Sequence, residues 1–498
     1  MKRTSALSVL LLLAALLASC GESASAPVET SSGNDNAAVP ETEAVTEEVR
    51  IDPELPEKDL GGYDFRVITK GTENVHWKSK DIYAESLNGE PINDAVFTRN
   101  SKLGEKYNFK VTEIPSKNGT WDVHTEVQKS VLAGEDAYSM AAMSLTGDLS
   151  TLAAKNCLYN LYDIPYINLE RPWYDQKVTE SMSIGGRLFS TTGDMILMDN
   201  EATYGILFNK RLAEELDLGN FYDTVREGKW TIDKLLDACK LAVADLNGDG
   251  VHDEFDRWGI CGEPADTFAY MVGMGEMSVK KDADDLPYFV LQNDRFYSAF
   301  EKSIAINGDF DLCLYSNNYP KYTDVWAECI DKAFIEGRLL FTCAGLVRVT
   351  VFRTMDIDFG IIPLPKYDEA QTEYCSFVSI GCSDSIAIPA AVQDTEAVGL
   401  IIEAMSAESM YTLTPAYYDV VIKGKAARDV ESLDMLDLIF SNRIYDLGYS
   451  FDWGGIITEI NNLTTNKAPN ISSSIEKKLK SAQKALDKTI TTITESEG

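Results

Sequence analysis

Histidine is nearly absent from this chain: three occur in 498 residues, His76, His124 and His252. The nine cysteines form no Cys-x-x-Cys pair. A structural zinc site needs closely spaced Cys and His ligands, so the sequence argues against zinc. Basic residues are also scarce, with 45 Lys and Arg against 79 Asp and Glu and a formal net charge of −34. A surface that acidic repels nucleic acid and anionic headgroups, which leaves neutral or cationic small molecules, metal ions or a protein face as partners. No G-x-S-x-G, H-E-x-x-H or G-x-x-x-x-G-K-[ST] motif is present, so catalysis has no positive support. A glycosidase-type carboxylate pair is the one catalytic arrangement left open, because so many acidic residues guarantee pairs in space. No repeat of 20 to 50 residues occurs. What is present is an ordinary globular balance, 45% hydrophobic and 25% charged, with length for roughly three domains or two large ones.

The longest apolar run, Ala6 to Ala18, is broken only by Ser8 and follows Met1-Lys2-Arg3. It is shorter than the roughly 20 residues of a spanning helix and reads as a signal-peptide core. Leu17-Ala18-Ser19-Cys20-Gly21 matches the bacterial lipobox, in which the sulfur of Cys20 accepts a diacylglyceryl group. The plainer alternative is an ordinary secretory signal. Residues 21–59 contain eleven acidic residues, two basic ones and no aromatic. Such a stretch buries too little apolar surface to offset its conformational entropy, so it is predicted to be a disordered tether spanning about 35 Å. The chain is therefore expected on the outer face of a bacterial cytoplasmic membrane, lipid-anchored and extracytoplasmic, with residues 1–19 removed. The eight remaining cysteines are expected to pack as small apolar thiols; their spacing does not separate thiols from bridges.

From Leu60 the pattern becomes α/β. Tyr63–Thr69 alternates as a strand, Ile92 to Tyr107 has helical spacing, and Asn108 to Ile114 alternates again, which predicts a parallel β-α-β unit with ligands at strand C-termini. Thr203 to Asn209 reads as a strand running into a helix at Lys210, and Thr231 as the N-cap of the next helix. Phe359 to Pro365 and Ser385 to Pro389 read as short strands stopped by proline, and Ile475 to Ile493 as a terminal helix.

The order of several segments carries a family resemblance: the lipobox with its acidic tether, Gly89-Glu90-Pro91-Ile92-Asn93-Asp94-Ala95-Val96, Arg171-Pro172-Trp173-Tyr174-Asp175, Ala202 through Lys210, Gly228-Lys229-Trp230-Thr231, Ile361 through Lys366, and Ser385 through Pro389. Over about residues 60–498 the chain resembles family 1 extracellular solute-binding proteins, the sugar-capturing lipoproteins of ABC importers. The resemblance implies a two-lobed periplasmic-binding-protein-like fold of type II, with two α/β lobes joined by a hinge. Lobe 1 is placed at 60–198 plus about 362–410, and lobe 2 at 199–361 plus about 411–498. It further implies a sugar or oligosaccharide ligand, an ABC permease as partner, a monomer, and no enzyme activity. A lipid-anchored adhesin or sensor subunit of the same fold and a surface glycosidase are the alternatives.

One segment matches a twelve-residue calcium loop. Asp245, Asn247 and Asp249 hold positions 1, 3 and 5, Gly250 the sharp turn, Val251 a carbonyl position, Asp253 position 9 and Asp256 position 12. Calcium takes six to eight hard oxygen ligands, and this spacing wraps them round one ion. Asp256 stands where an EF-hand has Glu and resembles the dockerin loop, but a second loop is missing, so the expected ion is structural. The alternative is a polar turn built on Asn-Gly and Asp-Gly.

Sugar pockets combine aromatic faces with carboxylate, amide or guanidinium groups for hydroxyls. Trp77, Trp173 and Trp453 lie in loop-like sequence and are candidates for stacking, against the alternative of half-buried core residues. Trp230 and Trp258 are assigned to packing, and Trp121 and Trp326 are indeterminate. Asp199 and Asn200, at the expected first hinge crossing, Tyr204 just after them and Arg348 complete the candidate ligand set.

Overall fold

The computed structural model describes residues 50–353, 355–423 and 430–495. Cys20 and most of the acidic segment lie outside them. Composition extends the tether to residue 59, yet the stretch from Arg50 lies against the body. Arg50 pairs with Glu408 at 3.0 Å, the Ile51 amide donates to the Tyr411 hydroxyl at 2.8 Å, and Lys58 pairs with Glu396 at 3.0 Å. These partners are remote in sequence, so local composition carries no sign of them. Among the described residues no helix is long and apolar enough to cross a membrane.

The first sheet is built round Tyr63–Thr69. It pairs in parallel with Phe109–Pro115, Tyr63 opposite Phe109 and Thr69 opposite Pro115. The helix Pro91–Tyr107 makes the crossover: the Glu90 side chain accepts the Asn93 amide at its start, Pro91 fits the first turn, and Asn108 ends it at φ 54°. The other edge pairs with Met140–Met143, and Ser385–Ala387 adds antiparallel beyond it. Phe65, Val67, Ile68, Met140 and Ile386 form its core.

The second sheet has the order Phe359–Ile362, Tyr204–Asn209, Leu339–Gly345, Trp258–Gly262, Cys313–Tyr315. Tyr204–Asn209 is antiparallel to both neighbours, and the last three strands are parallel. Successive side chains face opposite layers: Ile206 and Phe208 join a core with Trp230 and Phe341, while Leu207 joins Trp258, Phe359 and Ile361. Both faces are covered, which is why these strands read as apolar runs. Trp230 and Trp258 are packing residues, their indole N–H groups donating to Pro363 O and Asp253 O, each at 2.9 Å. All eight cysteines of the described body are free thiols, six of them buried.

The chain leaves the first sheet through the short helix Met198–Glu201 and returns to it at Ser385–Ala387. Between these crossings Ser376–Phe377 pairs in parallel with Arg443–Ile444, and Thr203 bridges Val378. Arg443 ties the crossings together. Its guanidinium lies 2.7 Å from Asp175 and 3.3 Å from Asp199, and donates to Asn200 Oδ1 at 2.8 Å.

Candidate functional site: a cleft between two sheet edges

Tyr63–Thr69 ends at Lys70, which is fully buried and paired with Asp384 at 2.9 Å. Its ammonium also donates to the carbonyls of Cys382 at 2.6 Å and Ser383 at 3.3 Å, and sits 5.4 Å from the centre of the Trp121 ring. Trp121 itself is 53% exposed, so an aromatic surface remains open at this edge. The loop after the strand carries His76, Trp77 and Lys80, the last paired with Glu201 at 2.7 Å.

The second sheet presents its own strand ends. Trp258–Gly262 runs into Glu263, which is partly exposed yet enclosed by protein, as a residue in a concavity is. Asp266, fully buried, starts the helix Asp266–Gly273; its Oδ2 accepts the Glu263 amide at 2.9 Å. Burial beside Glu263 lifts the Asp266 carboxyl well above the usual range, opposed by hydrogen bonds from the Glu263 amide and the Tyr204 side chain. Leu339–Gly345 leads into the helix Val347–Phe352, which carries Arg348. Arg348 pairs with Asp331 at 2.7 Å and lies 4.5 Å over the Trp326 ring. Trp326 opens the π-helical turn Trp326–Ile330, close to Glu263. Such turns recur at functional sites because the wider turn re-aims side chains.

Several contacts bring these two edges together. A Cβ on Gly345 would lie 3.4 Å from the Trp77 ring and 2.7 Å from the Glu201 carbonyl, so only glycine permits this approach. The Cys382 thiol feels Lys70 from one sheet and Glu263 and Arg348 from the other; burial, the largest effect, pushes it up to about 11. His76 lies in the field of Arg348 and Asp324, and burial holds it below its ordinary value. Tyr449, packed on Phe268 and Phe377 at 5.3 Å each, stands within the field of Cys382, Glu263 and Asp266. Aromatic rings and charged groups of both signs thus converge where the two edges meet, the place where a two-lobed fold has its cleft. Two cavities of about 370 and 530 Å³ lie elsewhere, beside Phe208 and Asn220 and beside Tyr162 and Ser183.

Of the residues expected from sequence to bind ligand, Trp77 and Arg348 fall at this cleft. Tyr204 is buried behind it, edge-on to Phe377 at 5.3 Å. Trp173 and Trp453 do not reach it. Trp173 is fully buried in the first core, and Trp453 stacks on Phe451 at 4.9 Å while donating to Thr489 at 2.9 Å. Asp199 is buried, Asn200 is half-buried, and both are held by Arg443 at the crossing. Lys70, Glu263, Asp266 and Tyr449 lack any sequence signal of their own, beyond the position of the first two just past apolar strands.

The loop Asp245–Asp256 joins the helix Ile232–Ala242 to Trp258–Gly262. Asp245 accepts the amides of Gly248 at 2.7 Å and Gly250 at 2.9 Å, which hold its carboxyl below the usual range. Asn247 and Asp249 each accept an amide two residues on at 2.8 Å, and Asp256 takes those of Leu246 and Asp253, each at 2.9 Å. The Asx turns of the motif are therefore formed. Among the described residues, the group of three ligating side chains drawn within 4.8 Å is a different one, Asp122, His124 and Asp148. There the His124 Nδ1 lies 2.8 Å from Asp148 Oδ1, which already accepts the amides of Val123 and His124. With that oxygen's lone pairs occupied, the trio anchors a helix start, and Asp148 raises the affinity of His124 for its proton.

No known family profile matches the sequence, and no curated protein matches it. Solved structures do. A cyclo/maltodextrin-binding protein complexed with maltotetraose matches with a TM-score of 0.54 at 13% identity, over 88% of this chain and 98% of that one. An ABC transporter solute-binding protein from Thermotoga lettingae bound with α-D-tagatose gives 0.54 at 14% identity, over 85% and 100%. An ABC substrate-binding protein from Listeria monocytogenes in complex with cycloalternan gives 0.52 at 11%, over 87% and 100%. Likeness at this identity, over nearly the whole of each neighbour, establishes the architecture expected from sequence: the body has the two-lobed α/β fold of ABC-importer solute-binding proteins.

Proposed function

We propose that this protein is the extracytoplasmic substrate-binding component of an ABC importer, capturing an oligosaccharide between its lobes and delivering it to a permease. The observation that carries this reading is the cleft. Trp77 and Trp121 from one edge and Trp326 and Tyr449 from the other supply apolar faces for sugar rings, beside Glu263 and Arg348 for hydroxyls. The sugars named in the complexes of similar fold support the ligand class, and those neighbours are named as binding proteins, which supports capture over catalysis. Ligand contacts made by both lobes favour the closed arrangement, so binding shifts an open–closed equilibrium. Diacylglyceryl on Cys20 would hold the monomeric body at the membrane, and calcium in the loop Asp245–Asp256 would serve as a structural staple. A thermal-shift screen of mono- and oligosaccharides, peptides and polyamines tests the ligand class. An oligosaccharide that raises the melting midpoint supports it; a response to peptides alone overturns it.

A further inference from the structure

Contact between the lobes is not confined to the crossings and the cleft. After the helix Asp266–Gly273, which packs in the core of the second sheet, the chain forms a hairpin in which Val279–Lys281 pairs antiparallel with Pro287–Phe289. Val279 packs in the core of the first sheet, and Phe289 packs against both cores. At the hairpin tip Asp285 has φ 63° and meets the loop 183–187 of the first lobe, whose Ile184 lies in the first core. The Asp285 carbonyl accepts the Gly185 amide at 3.0 Å, and its carboxylate accepts the Gly186 amide at 2.9 Å and the Ser183 hydroxyl at 3.0 Å. Lys281, paired with Asp285, donates to the Ser183 hydroxyl at 2.7 Å and the Ser183 carbonyl at 3.2 Å. The terminal helix Ile471–Glu495 runs to the same place. Its Ile471, Ile475 and Ala482 lie in the second core, its Leu486 and Ile493 in the first, and a Cβ on Gly185 would lie 2.7 Å from the Thr494 methyl.

We propose that this hairpin tip is a latch holding the lobes in their closed arrangement, and that opening breaks the contact of Asp285 with the loop 183–187. The latch rests on the opening and closing of the lobes and is independent of what they capture. A rotation about the crossings at Met198–Glu201 and Arg443 moves the lobes as bodies, so a contact made away from that axis must part or slide. The closed cleft and the latch occur together here, since Gly345 of one edge lies against the Trp77 ring of the other. Val279, Leu486 and Ile493 are buried, and pulling them from the first core would expose hydrocarbon to water. The tip is different in kind. Its bonds are polar, the Asp285 and Lys281 side chains keep 29% and 18% exposure, and the cavity of about 530 Å³ opens beside them. Water replaces each lost partner there, so the tip is where the lobes separate at least cost. Bonds of this strength bias an open–closed equilibrium without freezing it.

Small-angle scattering of the full chain without ligand, with calorimetry against maltotetraose as the probe, provides the test. Asp285→Gly suits the φ of 63° and removes both carboxylate contacts, and Ser183→Ala removes the facing hydroxyl from the other lobe. Asp285→Gly is expected to enlarge the radius of gyration of the unliganded protein and to weaken maltotetraose binding about tenfold. Ser183→Ala should act in the same direction, and the double variant should add little to Asp285→Gly alone, because both substitutions cut one contact. An unchanged radius of gyration in Asp285→Gly overturns the latch, and so does tighter binding of maltotetraose by either variant. The scattering result decides the latch even if maltotetraose binds neither wild type nor variant, an outcome that bears on the choice of sugar alone.

Discussion

Replacing Arg443 with Met should destabilise the protein by about 2–4 kcal/mol at neutral pH. The guanidinium sits between Asp175 at 2.7 Å and Asp199 at 3.3 Å, with Asn200 as a further acceptor at 2.8 Å. Met retains the apolar stem and removes the charge and donors, which leaves two carboxylates in a buried place. Breaking a buried pair from one side costs about 3–5 kcal/mol. Protonation recovers part of that: burial already pushes Asp199 up to about 7 against the pull of Arg443, and removing Arg443 lifts it further. A carboxyl whose folded value is raised binds its proton more tightly in the folded state, so its stabilisation is present at low pH and lost as pH rises through about 7. The Arg443→Met penalty is therefore larger at pH 8 than at pH 5. Urea unfolding at both values, with the slope unchanged, measures it. Adding Asp199→Asn should restore part of the loss, since the neutral amide needs no counter-ion. A penalty below about 1 kcal/mol, or one equal at both pH values, would refute the assignment of Arg443 as the buried staple of the crossings.

Trp326→Ala should weaken binding of the best oligosaccharide about tenfold, through lost stacking of the ring; calorimetric affinity that is unchanged removes Trp326 from the site. Glu403, pushed up to about 7 by burial and accepting the Tyr174 hydroxyl at 2.7 Å, stabilises the fold below the ordinary carboxylate range and loses that contribution as pH rises through about 7. Glu403→Gln keeps the acceptor and should flatten the fall in melting temperature between pH 5 and 8. Chelation should lower the melting temperature, since calcium at 100 times its Kd stabilises the folded form by about 2.7 kcal/mol; Asp245→Ala with Asp249→Ala should abolish the response to added calcium, and an unshifted curve in chelator ends the calcium reading. Cys20→Ala should shift the protein out of the lipid-modified membrane fraction, and equal retention of wild type and variant after a high-salt wash counts against acylation at Cys20.

Local order is legible in the sequence because it depends on near neighbours. Alternation marks Tyr63–Thr69 as a strand, and the spacing of Ile92, Val96, Leu103 and Tyr107 marks the helix that follows. Thr231 is recognisable as an N-cap, and its side chain does accept the Lys234 amide. The terminal helix is longer than its periodic signal, since Ile471–Glu495 includes a polar first turn with little apolar spacing. From such pieces in order the α/β class follows, while the two lobes are implied by the family resemblance of the motifs.

The cleft obeys a different rule. Trp173 and Trp453 look loop-borne in sequence, yet each lies where the chain folds back onto a core, so the ring is consumed by packing. Trp121 and Trp326 have no clearer local context and stand at the strand ends. Asp199 looks like a hydroxyl binder until Arg443 arrives from 244 residues away and takes its charge. Periodicity reports which face of an element is apolar, and that suffices to choose elements and their order. Whether a polar or aromatic side chain is spent on a neighbour or left facing a cleft depends on which distant segment closes over it, and at Lys70, Glu263, Arg348 and Cys382 only the tertiary structure decides that.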